Sequence, residues 1–287
     1  MIIAIASGKG GTGKTMVATS LALATGDGAQ LVDCDVEEPN DHIFLRPTIE
    51  RREAVTMPVP DVNERRCTFC GLCADACAFN AIAVLKERVL VFPELCHGCG
   101  ACSYLCPEGA IMEREREVGV VEVGRAGAVD FVAGSLNLGE AMATPVIREV
   151  KRHIDRRKTV IVDVAPGTSC PVVEAVRGSD LCLLVTEPTP FGLNDLDLAV
   201  QMVRKLNVPH AVVINRAGIA GDMVEDYCSR EGIPVLLHIP FSASIARLYS
   251  TGVALVEGMP EWRPLFNKLL EDVRDQAERE YSGRRAS

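Results

Sequence analysis

Apolar runs of five or six residues recur along the chain at 2–6, 30–34, 128–133, 159–164, 181–186, 210–215 and 234–239. Uninterrupted runs of this length, rich in Val, Ile and Leu, predict strands buried on both faces. Most are separated by stretches long enough for a helix, and the first of these, 15–25, reads as a buried helix ending near Gly26. Strands alternating with helices predict an α/β fold built on a doubly wound, mostly parallel sheet. Near the far end Leu265, Leu269, Val273 and Ala277 recur at helical spacing, opposite Glu271, Asp272, Asp275, Glu278 and Glu280. That pattern predicts an amphipathic helix packed on the sheet, followed by a frayed tail at 283–287.

Between Pro60 and about Val118 the pattern changes to short, charged, cysteine-dense segments, flanked by Asn63-Glu64-Arg65-Arg66 and by Glu113-Arg114-Glu115-Arg116-Glu117. We expect residues 63–117 to be a small inserted α+β domain, and 1–62 with 118–287 to form one discontinuous larger domain. The insert repeats itself at an offset of 29 residues: Cys67, Cys70, Cys73, Cys77, Ala81 and Ile82 recur as Cys96, Cys99, Cys102, Cys106, Ala110 and Ile111. Residues 81–85 and 89–92, joined by Lys86-Glu87-Arg88, predict a hairpin between the halves and a pseudo-two-fold arrangement.

With 287 residues, 48% of them hydrophobic and only 5% aromatic, the core should be aliphatic. A net charge of −9 argues against broad nonspecific binding of nucleic acid. The acidic face of the C-terminal helix argues against an anionic membrane surface. Met1-Ile2-Ile3-Ala4-Ile5-Ala6 leads straight into a Gly-rich segment without a cleavable signal, so a cytoplasmic location is expected. There cysteines serve metals more often than disulfides.

Eight of the twelve cysteines form two copies of C-x2-C-x2-C-x3-C, Cys67 to Cys77 and Cys96 to Cys106, the second followed by Pro107. Three cysteines at intervals of three can wrap a loop around three corners of a cubane. The pattern resembles a bacterial ferredoxin with two [4Fe–4S] clusters. The resemblance implies one cluster on Cys67, Cys70, Cys73 and Cys106 and another on Cys96, Cys99, Cys102 and Cys77. Structural zinc is the alternative, but a third and fourth cysteine in each run exceed a tetrahedral need. Ala78 stands where the first run would usually carry proline, which bears on loop rigidity more than on ligation.

The segment Gly8-Lys9-Gly10-Gly11-Thr12-Gly13-Lys14-Thr15, between a strand and a helix, is a phosphate-binding loop. Its glycines let backbone N–H groups surround phosphate oxygens, Lys14 reaches the outer phosphates, and the Thr15 hydroxyl suits Mg²⁺. The second lysine, Lys9, makes the loop resemble the deviant Walker motif of the MinD/ParA family of P-loop ATPases, which includes the nitrogenase iron protein and the scaffold ATPases of iron–sulfur assembly. The resemblance implies that Lys9 crosses a dimer interface to a partner's ATP, and that the chain dimerises on ATP with a second copy or a paralogue. It also implies slow hydrolysis, with Lys9, Lys14 and Asp35 as the catalytic residues.

In Asp33-Cys34-Asp35-Val36-Glu37-Glu38-Pro39-Asn40, similar to the family's switch I, Asp35 would orient the attacking water near Mg²⁺ and Asn40 would contact the interface. In residues 159–167, similar to switch II, Asp163 would hold Mg²⁺ through water and Gly167 would sense the γ-phosphate. Asn215 matches the family's adenine-reading asparagine, with Arg216 beside it. Ordinary capping is the alternative for the switch I acids and for Asn215.

Of the remaining cysteines, Cys182 and Cys228 read as core, whereas Cys34 and Cys170 lie in switch segments and are candidates for a further redox or cluster site. Cys170 follows Asp163 by seven residues, as a cluster cysteine does in the nitrogenase iron protein; the second cysteine which that site needs is missing around 134–139. The expected cofactors are ATP or ADP, Mg²⁺ and two [4Fe–4S] clusters, and the expected partner is a redox protein or an apo-iron–sulfur protein. We expect nucleotide binding to gate electron transfer. A cluster carrier or assembly ATPase is the alternative, and a ParA/MinD-like positioning ATPase with structural or redox-sensing clusters a further one.

Overall fold

The computed structural model describes residues 1–286, and side chains through Tyr281. The side chains of the tail expected at 283–287 lie outside the described residues. In chain order the strands are β1 (Ile2–Ala6), β2 (Ala29–Cys34), β3 (Thr48–Val62), β4 (Ile82–Leu85), β5 (Arg88–Val91), β6 (Ile111–Ala126), β7 (Val129–Leu136), β8 (Thr159–Val164), β9 (Leu181–Thr186), β10 (His210–Ala217) and β11 (Val235–Pro240). Among the described residues nine of them form one sheet in the order β11-β10-β9-β1-β8-β2-β7-β6-β3, and β4 pairs with β5. Seven strands of the large sheet, β11 through β7, are parallel neighbours. The fold is the expected α/β arrangement on a doubly wound, mostly parallel sheet.

Two compact units make up the chain: Met1–Arg52, Val121–Ser135 and Ile147–Ser287 form the larger, Glu53–Val120 and Leu136–Val146 the smaller. In the larger unit every residue of β1 is buried, because helices cover both faces of a parallel sheet. The helix Lys14–Thr25 turns Val17, Ala18, Leu21 and Ala22 into the core with no exposed surface. The helix Arg263–Ala286 packs Phe266, Leu269, Leu270 and Val273 into the same core, against the Lys14–Thr25 helix. Its buried stripe differs from the expected one by one position: Leu265 is exposed and Phe266 takes its place.

The long strands β3 and β6 were not expected. Glu113–Glu117, which look like a charged boundary, lie inside β6, and Arg51 and Arg52 inside β3. Strand β3 is the last in the sheet order, and an edge strand tolerates both its charges and its prolines, Pro58 and Pro60. Two residues, Gly127 and Ala128, join β6 to its neighbour β7, with Gly127 at φ 60°. So short a connection requires antiparallel pairing.

In the smaller unit the 29-residue repeat is written into the backbone. The four-residue helices Leu72–Asp75 and Ala101–Tyr104 stand at that offset. Left-handed residues recur in the same way: Phe69 and Gly98 (φ 55° and 61°), Gly71 and Gly100 (84° and 71°), Asn80 and Gly109 (53° and 54°). Between the halves β4 and β5 pair antiparallel, Ile82 opposite Val91 and Leu85 opposite Arg88. A bidentate, largely buried ion pair from Arg116 on β6 to Glu140 ties the segment Leu136–Val146 into the unit.

Gly124 on β6 lies so close to β3 that an added Cβ would overlap the Thr48 carbonyl oxygen. Gly124→Ala is expected to lower stability by about 1–3 kcal/mol in urea denaturation; a loss under about 0.5 kcal/mol would show that the strands separate freely there.

Candidate functional site

The register of the sheet assembles one end of the larger unit. Parallel pairing sets Ile5 of β1 beside Asp163 of β8, and Asp163 beside Asp33 of β2. The loop leaving β1 therefore folds over the acid ends of its neighbours. Gly13 takes φ 93° and abuts the Asn215 amide, so a side chain there would collide with it. Asn215, at the end of β10, donates from Nδ2 to the Thr12 carbonyl at 2.7 Å, and Arg216 donates to the Gly11 carbonyl at 3.1 Å. Gly8 packs against the Asp195 backbone, and the Gly167 N–H donates to the Ser7 carbonyl at 2.8 Å.

A cavity of about 260 Å³ opens over this loop, lined by Gly10, Gly11, Gly13, Lys14, Thr15, Asp35, Asn40, Asn215 and Arg216, with Phe241 and Tyr249 at one side. Two buried polar atoms, Thr12 Oγ1 in the loop and Asn40 Oδ1 in the segment after β2, have no hydrogen-bond partner. A ring of donors with orphaned polar atoms fits a phosphorylated ligand and Mg²⁺. A larger open groove, about 1330 Å³, lies at the opposite strand ends near Asp27, Lys158 and Arg274. It has neither a glycine loop nor a buried lysine, so the chemistry belongs to the smaller cavity.

Charge holds the site together. Lys14 Nζ lies 2.6 Å from Asp163 Oδ1 and 3.7 Å from Asp35, and Thr15 Oγ1 donates to Asp163 Oδ2 at 2.7 Å. Burial works against the Lys14 charge, but Asp163, with Asp35 and Asp41 nearby, outweighs it and raises the lysine's pKa. Burial raises Asp35, against the pull of Lys14. Carboxylate oxygens of Asp33, Asp41 and Asp163 lie within 4.8 Å of one another, all buried. Burial, reinforced by the neighbouring charges, pushes Asp33 up to about 8 and Asp41 well above the usual carboxylate range.

Hydrogen bonding decides where the shared proton sits. Asp33 accepts backbone N–H bonds from Asp35, Asn40 and Asp41 at 3.0–3.2 Å, and Asp163 is held by Lys14 and Thr15. Neither Asp41 oxygen receives an N–H or hydroxyl donor. Asp41 is therefore the acid that keeps the proton and donates it to a neighbouring carboxylate.

Two residues here escaped sequence reasoning. Asp41 is one. Glu187 is the other: it pairs with Lys9 Nζ at 2.5 Å and Arg216 Nη1 at 2.7 Å. The signal was present, because Glu187 follows the apolar run of β9 as Asp35 and Asp163 follow theirs. In the single chain Lys9 thus folds back onto its own Glu187.

In the smaller unit the thiols sort into two cavities. Cys67, Cys70, Cys73 and Cys106 line one; Cys96, Cys99, Cys102 and Cys77 line the other. Each run gives three sulfurs to one cavity and its fourth to the other. Backbone N–H groups of Phe69, Ala81, Gly98 and Ala110 donate to Cys67, Cys77, Cys96 and Cys106 at 3.2–3.4 Å, again at the 29-residue offset. All twelve cysteines are free. Among the described residues no three cysteine sulfurs gather within 4.8 Å, whereas four around a tetrahedral zinc with bonds of about 2.3 Å would. Two sets of four thiols, each completed from the other run, offer the donors that two polynuclear groups require.

Cys34 is fully buried at the end of β2, and burial holds its thiol protonated, out of reach of a second copy. Cys170 is exposed at the start of the helix Cys170–Val176. Cys182 and Cys228 lie in the core.

Comparison with known proteins agrees with the geometry. The chain is 31% identical over 268 residues to the uncharacterized protein MJ0579 of Methanocaldococcus jannaschii, covering 90% of this chain and 92% of that one. The septum site-determining protein MinD of Pyrococcus horikoshii, solved with Mg-ADP, superposes with a TM-score of 0.59 at 21% identity, covering 97% of this chain and 98% of MinD; that likeness is one of fold. A 69-residue cysteine-rich stretch, 23% of this chain, is 42% identical to 10% of the indolepyruvate oxidoreductase subunit IorA of Pyrococcus horikoshii. The model of the CobQ/CobB/MinD/ParA nucleotide binding domain matches residues 3–256, and the chain belongs to that family.

Proposed function

We propose that the chain is an ATP-hydrolysing iron–sulfur protein in which nucleotide-dependent changes at the switch segments and the dimer interface gate electron transfer through two [4Fe–4S] clusters. The observation that carries this reading is the exchange of fourth cysteines between two four-thiol cavities in a nucleotide-binding chain. The likeness of the cysteine-rich stretch to part of an oxidoreductase subunit supports it.

On this reading Lys14 leaves Asp163 for the phosphates, and Asp163 is then free, with Thr15 and Asp35, to hold Mg²⁺ directly or through water. Asp35 orients the attacking water, while Lys14 and the partner copy's Lys9 stabilise charge on the transferring group. Asn215 and Arg216 hold the loop, and Gly167 gives up its bond to Ser7 as switch II closes on the γ-phosphate. Asn40 lies at the interface. The clusters would supply one-electron chemistry. Backbone N–H donors to Cys67, Cys77, Cys96 and Cys106 stabilise the thiolate charge that ligation requires. Chain continuity gives the coupling route: switch I leads through the helix Asp41–Leu45 into β3, which carries the chain from the larger unit into the smaller.

Exposed Cys170 favours a second reading, a cluster carrier that assembles a labile site between two copies. Buried Cys34 is no partner for it, so the eight cavity cysteines remain the principal ligands.

Anaerobically purified protein is expected to carry about eight iron and eight sulfide per chain, and to deliver electrons to an acceptor at different rates with and without ATP. Equal rates would remove the coupling. Lys9→Ala is expected to abolish ATP-stimulated dimerisation in sedimentation while ADP binds within about twofold of the parent; a persisting dimer would remove its role across the interface. Burial keeps the proton of the Asp33–Asp41 pair on Asp41 in the folded chain, well above the usual carboxylate range, whereas the unfolded chain loses it above roughly pH 4. The folded state then binds more protons across that window, so this pair makes stability fall as pH rises through it. Asp41→Asn in the nucleotide-free protein should flatten the fall between pH 5 and 8 in urea denaturation. An unchanged slope would place the proton elsewhere.

A further inference from the structure

The 29-residue repeat equalises the backbone around the two cysteine cavities, so any difference between them lies in side chains. The N–H donors to sulfur match pairwise, as do the left-handed residues. The charges do not match. At the first cavity, position 84 is Val84 and position 68 is Thr68; their counterparts at the second are Glu113 and His97. Glu113 receives the Ser103 hydroxyl at 3.0 Å and lies over Gly100, in the loop between Cys99 and Cys102. Among the described residues no lysine or arginine pairs with it. The first cavity has an acid too, Glu108, but Arg66 donates to the carbonyl of that residue at 2.8 Å and brings a positive charge beside it. The counterpart of Arg66 is Leu95. Burial differs in the same sense: Cys96 is buried, with Met57 and Pro58 packed against the neighbouring Gly98, whereas Cys67 is half-buried.

One-electron reduction adds a negative charge to a thiolate-ligated cluster. A nearby unpaired carboxylate and a drier ligand both oppose that charge, and a nearby guanidinium favours it. We propose, on the reading that both cavities hold [4Fe–4S] clusters, that the two are electrochemically unequal, with Glu113 making the cluster on Cys96, Cys99, Cys102 and Cys77 the harder to reduce. An electron from a one-electron donor then comes to rest on the cluster of Cys67, Cys70, Cys73 and Cys106. The other is the stronger reductant, filled only by a donor of lower potential. The pair acts as two unequal steps of a relay, not as a store of two equivalent electrons.

The test uses the full chain, purified anaerobically and held at one pH throughout. Iron and sulfide are counted first, and the reduced clusters are then titrated potentiometrically by EPR. Two separate one-electron steps are expected. Glu113→Gln should ease the lower-potential step by about threefold to tenfold in its equilibrium constant, the latter being 59 mV, and leave the upper step in place. Glu113→Lys should move the same step about twice as far. A full complement of iron with one common midpoint would overturn the inference, as would a Glu113→Gln shift of both steps alike or of the upper step alone. Iron too low for two clusters would instead defeat the iron–sulfur reading itself, and this inference with it.

Discussion

A carboxylate with no exposed surface must be neutralised where it lies, and Asp163 imposes that demand on the larger unit. Because β8 runs between β1 and β2, its terminal acid comes up under the loop that leaves β1. Lys14 and Thr15 satisfy it, and in doing so set the start of the helix Lys14–Thr25. The same arrangement recurs two strands along the sheet, where Glu187, the residue after β9, holds Lys9 and Arg216. Acids at strand ends thus keep the cations of the loop paired. Removing Lys14 would leave Asp163 buried and unpaired, a loss of about 3–5 kcal/mol in comparable buried pairs.

The smaller unit works under a different constraint, the shortage of core. Its helices Leu72–Asp75 and Ala101–Tyr104 bury none of their residues. Ala81 and Ile82, with their counterparts Ala110 and Ile111, are buried close behind the fourth cysteines, and little else in the repeat is. On the proposed iron–sulfur reading, a unit so built would draw order from what its thiols bind, since ligand binding that requires a formed site is also folding energy. The repeat extends past the cysteines to an Ala-Ile pair, and those buried residues are the floor beneath each fourth cysteine.

Elements whose residues obey one demand were legible in the chain. Strands β1, β8 and β9 are buried on both faces, so their apolar runs coincide with their bounds. Strands β3 and β6 serve two demands, apolar along part of their length and charged along the rest, and Glu113–Glu117 read as boundary. Among site residues, the glycines and lysines of the loop were legible because backbone geometry and phosphate charge restrict the choice of residue. Asp41 was not, since its role comes from a neighbour, Asp163, 122 positions away, whose proximity only the pairing of β2 with β8 creates. Cys34 misled for the converse reason: its place in switch I is visible in the chain, and its complete burial is not.

The double use of Glu187 bears on how the proposed dimer forms. Breaking a buried ion pair is costly chiefly because one charge is left unpaired. Glu187 is nearly buried, and had Lys9 been its sole partner, sending that lysine to a second copy's nucleotide would have stranded the carboxylate. Arg216 prevents this: it holds the other oxygen at 2.7 Å, while a second nitrogen of its guanidinium stays on the Gly11 carbonyl. The guanidinium is a planar fork that remains charged throughout, so it can retain Glu187 and the loop together while Lys9 departs. Arg216, expected only as the neighbour of a base-reading Asn215, is therefore placed to make the release of Lys9 reversible, and the balance between the two cations of Glu187 becomes the quantity on which the proposed nucleotide-dependent association turns.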